Sequence, residues 1–108
     1  MTDDLELLRR YVSEKSETAF AELVRTHLGF VYNTALRHLN GDVHAAKDVA
    51  QVVFTDLAHK AESVAGHSLL TGWLHTSTRY AALQWLRTER RRRVREEKAY
   101  HMQELTQH

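Results

Sequence analysis

Seven arginines crowd the final third of the chain: Arg79, Arg87, Arg90, Arg91, Arg92, Arg93 and Arg95. Trp73, Tyr80 and Trp85 are interleaved with the first of them. The arginine fork suits bidentate contact with phosphate and stacking on flat rings. Phosphate contacts give salt-dependent affinity, and aromatic platforms hold unpaired bases. The pattern therefore points to nucleic acid, and to single strands in particular. The plainer alternative is a solvated helix tail with Trp73 in the core, and Tyr80 fits either a core or a surface position. A second constellation is Asp48 with Gln51, which at i, i+3 share one helix face. Spacing alone does not separate that pair from ordinary polar surface.

Other chemistries are poorly served. The eight histidines (27, 38, 44, 59, 67, 75, 101 and 108) form no HxxxH or HExxH pattern. His44 and Asp48, one turn apart, are a weak metal signal, and surface histidines are expected. Cysteine is absent, which excludes disulfides and thiolate metal sites. There is no glycine-rich phosphate loop and no nucleophile arrangement. The carboxylate pairs Asp3-Asp4 and Glu96-Glu97 fall in exposed segments without a pocket. No enzyme activity, metal or cofactor is expected.

The elements that must position these residues are helical. The chain of 108 residues has no proline and four glycines, so little interrupts helix formation. This length supports one domain with one core. A first helix is expected from about Asp3 to Val12, with Leu5, Leu8 and Val12 at helical spacing. Ser16 caps a second helix, Glu17 to Leu39, whose stripe is Phe20, Leu23, Val24, Leu28, Val31, Ala35 and Leu39. Gly29 inside it suggests a close helix contact or a kink. Asn40-Gly41 ends that helix, and Asp42 caps a third, Val43 to Ser63. The small residues at 45, 46 and 50 would let a neighbouring backbone approach. A loop of about ten residues, Glu62 to Thr71, precedes a fourth helix from Gly72 past residue 100. That helix turns Trp73, Leu74, Ser77, Ala81 and Leu83 inward, then loses its apolar stripe after Leu86 and projects or frays. The expected fold is all-α, a bundle of about four helices with a long basic C-terminal helix.

Charge is divided along the chain. The net charge is +1 overall, yet residues 1–62 hold seven Lys/Arg against ten Asp/Glu, and residues 79–98 hold eight against three. A basic segment beside a mildly acidic body suggests one face for a polyanion and another for a protein. Apolar runs are too short for a membrane span, and the N-terminus lacks signal-peptide features. A cytoplasmic location is expected.

Three stretches together resemble region 2 of the sigma-70 family, in its extracytoplasmic-function (ECF) group. The first is Ala19-Phe20-Ala-Glu-Leu23 with Tyr32 following. The second runs Asp42-Val-His-Ala-Ala-Lys-Asp48-Val-Ala-Gln51-Val-Val-Phe54. The third is Trp73-Leu74 through Arg79-Tyr80-Ala81-Ala82-Leu83 to Leu86-Arg87, followed by the arginine run. The likeness covers about residues 5–95. It implies a compact helical bundle that binds the RNA polymerase core and melts the promoter −10 element without covalent chemistry. Lys47, Asp48, Gln51 and Val52 would fall on the surface that meets the clamp helices of the β′ subunit. Ser63, Gly66, His67 and Ser68 would fall in the segment that captures a flipped base. Arg79, Tyr80, Arg87, Arg90 and Arg91 would lie along the non-template single strand. The resemblance also leaves room for an anti-sigma factor as partner.

The chain departs from the family pattern at four of these positions. Lys47 and Val52 stand where acidic residues are usual, which removes negative charge from the polymerase face. Thr78 replaces alanine, and Tyr80 replaces asparagine in the DNA-reading helix. Residues 1–95 are read as region 2, and 96–108 as a charged helical extension or the start of a linker to region 4, a second domain these residues do not encode. The chain is then either a fragment of a longer factor or a region-2-only protein. Two other functions compete: a helix-turn-helix regulator reading duplex DNA, and a helical interaction module that binds no DNA.

Overall fold

The computed structural model describes residues 3–66 and 69–107. They form four helices: α1 (Asp4–Glu14), α2 (Glu17–His38), α3 (Val43–Ala65) and α4 (Leu70–Thr106). Three start at side-chain caps. The Asp3 carboxylate accepts from Leu5 N, the Ser16 hydroxyl from Ala19 N and the Asp42 carboxylate from Ala45 N. Each satisfies one of the orphan donors of a helix start. The turn between α2 and α3 passes Asn40 (φ 55°) and Gly41 (φ 81°), both left-handed, as the Asn-Gly pair predicts. α1 runs two residues further than the expected Val12, to Glu14, and is capped by Lys15 at φ 56°.

α2 and α3 pack against each other, and α1 and α4 each pack against both of them. The core holds Leu7 and Leu8 of α1, Leu23, Val31 and Ala35 of α2, Val53 and Leu57 of α3, and Leu74 and Ala82 of α4. Ala45, Ala46 and Ala50 are buried, as their small size predicts. His27 Nε2 and Asp4 Oδ2 lie 2.9 Å apart and tie α1 to α2.

Some sequence expectations need correction. The expected ten-residue loop over 62–71 is largely replaced by helix, because α3 continues to Ala65 and α4 begins at Leu70. Val64 and Leu70 are buried and draw both helix ends into the core, while Glu62, Ser63 and Thr71 lie on outward faces. The inward ladder of α4 is Leu70, Leu74, Thr78 and Ala82, strictly four apart. Leu83 is 41% exposed. Thr78 takes a core position because its hydroxyl donates to the Leu74 carbonyl at 2.6 Å. In α2, Leu28 is 46% exposed rather than part of the stripe. Gly29 makes no close contact, since a Cβ there would meet open space.

A connection of this length would suit a helix-turn-helix, but the two helices do not cross steeply as that motif requires. They lie side by side, with residues 48–60 of α3 facing residues 76–88 of α4 across one groove. Beyond Glu89 every described residue of α4 is exposed. The helix leaves the bundle there as a free rod, and the molecule measures 67 × 24 × 21 Å.

Candidate nucleic-acid and polymerase interfaces

α4 gathers the basic candidates onto one face. Arg79, Tyr80, Arg87, Arg90 and Arg91 are all exposed. At about 100° per residue they occupy a sector of roughly 120°, spread over about 18 Å of helix. Leu83 and Val94 share that sector and are also exposed. Tyr80 is 63% exposed, which settles it as a surface residue. Its hydroxyl accepts from Gln84 Nε2 at 2.9 Å. Trp73 and Trp85 are half-buried against the core.

Arg92 belongs to a different arrangement. Its Nε donates to Glu89 at 3.2 Å and its Nη1 to Glu96 at 2.7 Å, with a second bond from Nη2 to Glu89. The hydrogen bond from Arg92 holds the Glu89 carboxyl below its ordinary range and raises the Arg92 guanidinium. This ladder lies across the helix from the arginine face and supports the rod after it leaves the bundle.

α3 presents Lys47, Asp48, Gln51 and Val52 to solvent, all exposed. They form a ridge between two grooves. Lys47 and Gln51 border a groove of about 770 Å³ between α2 and α3, whose walls include Phe20, Val24, Leu28 and Phe54. Asp48 and Val52 border one of about 500 Å³ between α3 and α4, shared with Tyr80, Gln84 and Trp85. Asp48 and Gln51 thus share the exposed side of α3, as their spacing predicts, but flank different grooves.

Of the expected base-capturing segment, Ser63 is exposed in the last turn of α3, and its carbonyl accepts from Gly66 N at 3.2 Å. Gly66 caps the helix at φ −80°. His67 and Ser68 lie outside the described residues. This segment sits at the end of the bundle where α4 begins, and the arginine run sits at the other, where Glu89 feels the charge of Asp42. Arg79, Tyr80, Arg87, Arg90 and Arg91 are therefore strung along α4 rather than gathered into a pocket, an arrangement suited to following a strand.

The sequence reading missed Gln84, Asp56 and the groove wall formed with Leu28. Asp56 could have been found, since Asp48, Val52, Asp56 and Lys60 repeat every four residues and line one groove. Nothing in the sequence marks Leu28 as exposed. Among the described residues, no three His, Cys, Asp or Glu side chains converge on a metal-sized site. Among them too, no helix is long and apolar enough to cross a membrane.

Neither a search of curated proteins nor one of solved structures returns a match. The family model described as Sigma-70 region 2 matches residues 23–92, which span most of α2, all of α3 and α4 as far as Arg92. That family acts in transcription initiation, in promoter recognition and RNA polymerase binding. With the match covering well over half of its length and the helices arranged as described, the chain belongs to the sigma-70 region 2 family.

Proposed function

We propose that this domain, of the ECF type, docks on the β′ clamp helices of RNA polymerase through the α3 ridge and holds the −10 non-template strand along α4. The observation that carries the reading is a pair of exposed faces on one bundle, set on either side of the α3–α4 groove. The ridge Lys47, Asp48, Gln51 and Val52 is exposed and flanked by largely apolar grooves. The face of Arg79, Tyr80, Arg87, Arg90 and Arg91 is exposed and basic. The Lys47 ammonium and the Val52 side chain leave Asp48 as the ridge's one acidic group, so that contact relies more on shape than on charge.

Promoter melting needs the unpaired strand to be bound more tightly than the duplex. Unstacking a base costs a few kcal/mol, and each base stacked on an aromatic ring returns about 1–3 kcal/mol. Tyr80 supplies an exposed ring, and the arginines supply phosphate contacts. Ser63, Gly66, His67 and Ser68 would take the flipped base at the start of α4. The domain catalyses no covalent step, and an anti-sigma factor would act by covering either face.

Calorimetric titration with a fragment of the β′ clamp helices tests the polymerase half. Asp48→Ala and Gln51→Ala should each weaken binding about tenfold with helicity unchanged, the scale of a moderate interface residue. Binding unaffected by both substitutions would refute the assigned ridge.

A further inference from the structure

α4 carries two parallel rows of side chains. The outer row holds Arg79, Leu83, Arg87 and Arg90, all exposed. The adjacent row, turned toward α3, holds Tyr80, Gln84 and Thr88 and forms one wall of the α3–α4 groove. The opposite wall includes Asp48, Asp56 and Lys60. A single strand whose phosphates meet the outer row would have this groove beside it.

The groove's chemistry discriminates among what could enter. Two carboxylates against one ammonium disfavour phosphate, so the strand would turn its bases to this side. Asp56 is half-buried, and among the described residues no ion pair or hydrogen bond engages its carboxylate. An ionised carboxylate only accepts, so it suits a ligand group that donates. The exocyclic amines of cytosine and adenine donate, whereas thymine offers O4, an acceptor, at the corresponding place. Gln84 spends one N–H on the Tyr80 hydroxyl, which leaves its other N–H and its carbonyl for a base edge. The half-buried Trp85 adds an aromatic surface. At about 500 Å³ the groove lies within the size range of small-ligand sites.

We propose that the α3–α4 groove is a nucleobase subsite for an amine-bearing base of the bound strand, with Asp56 accepting from the exocyclic amine, Gln84 reading the adjacent edge and Trp85 stacking against the ring. The proposal rests on the reading of α4 as a single-strand interface, and it adds a base preference to that reading.

Fluorescence anisotropy of labelled oligo(dC) and oligo(dT), titrated at neutral pH with the full chain alone and with the chain on core polymerase, tests both. Wild type should favour oligo(dC) roughly tenfold, the scale of one well-placed base contact. Asp56→Asn can offer either an acceptor or a donor and should bring the ratio close to one. Gln84→Ala should lower the ratio independently, with helicity confirming that both variants fold. Arg87→Ala should weaken both oligonucleotides alike. Equal binding of the two by wild type, with Arg87→Ala still weakening both, would overturn the subsite and leave the arginine face standing. A preference that persists in both Asp56→Asn and Gln84→Ala would do the same. Binding of neither oligonucleotide in either format would remove the single-strand reading and the subsite with it.

Discussion

The salt dependence of DNA binding separates arginines that meet phosphate from those that support the helix. Each phosphate neutralised on a single strand contributes about −0.7 to the slope of log K against log salt. If Arg79, Arg87, Arg90 and Arg91 each meet one phosphate, the wild-type slope is about −2.8, and a fourfold rise in salt weakens binding about fiftyfold. The double variant Arg87→Ala/Arg90→Ala should have a slope near −1.4, and the same rise should cost about sevenfold. Arg92 provides the control. Its guanidinium is engaged by Glu89 and Glu96 and lies outside the sector of the other four. Arg92→Ala should therefore leave the slope unchanged, despite removing the same formal charge from the same run. Anisotropy titrations at four or more salt concentrations would measure these slopes. A slope flattened as much by Arg92→Ala as by Arg90→Ala alone would show that the run acts as an undifferentiated charge cloud, and would refute the assignment of a binding face.

Four further substitutions test the scaffold. Leu57 is fully buried, and Leu57→Ala should destabilise the domain by about 2–5 kcal/mol in urea or guanidinium unfolding. Gly29 is helical with open space at its Cβ position, so Gly29→Ala should stabilise by up to about 1 kcal/mol, whereas Gly41→Ala, at φ 81°, should cost about 1–2 kcal/mol. Thermal unfolding of the two variants side by side would expose a wrong sign in either. The Glu89–Arg92 contact sets a pH response: because the Glu89 carboxyl is held low in the folded state, its contribution is complete at neutral pH. That contribution should be lost progressively as pH falls from the ordinary carboxylate range through the lowered value. Far-UV circular dichroism of wild type against Glu89→Gln should show the difference at neutral pH and none in strong acid.

Much of this arrangement is legible in the sequence, because caps and helical periodicity are local signals. Ser16, Asp42 and Asn40-Gly41 mark the helix ends where the structure has them. The stretch from 62 to 71 reads as a loop because Ser63, Gly66 and Thr71 are loop-like in type, while the burial of Val64 and Leu70 is a tertiary effect. Thr78 shows the same limit in reverse, since its hydroxyl is satisfied within its own helix and a polar type therefore occupies the core. Asp48, Gln51 and the arginine run could be singled out by residue type and resemblance. That Lys47 and Gln51 border one groove while Asp48 and Val52 border another depends on where α2 and α4 pack, which spacing along α3 does not encode.

α4 passes from the bundle into solvent without a break, from Leu70 to Thr106. A continuous helix preserves angular phase as well as direction. Whatever meets its outer turns therefore does so at a fixed rotation relative to Tyr80 and the arginine face. One residue inserted near Glu97 would turn everything beyond it by about 100°, while an insertion of about seven would nearly restore the original azimuth and displace it by about 10 Å. The rod thus transmits orientation, and its length and its phase can be varied separately.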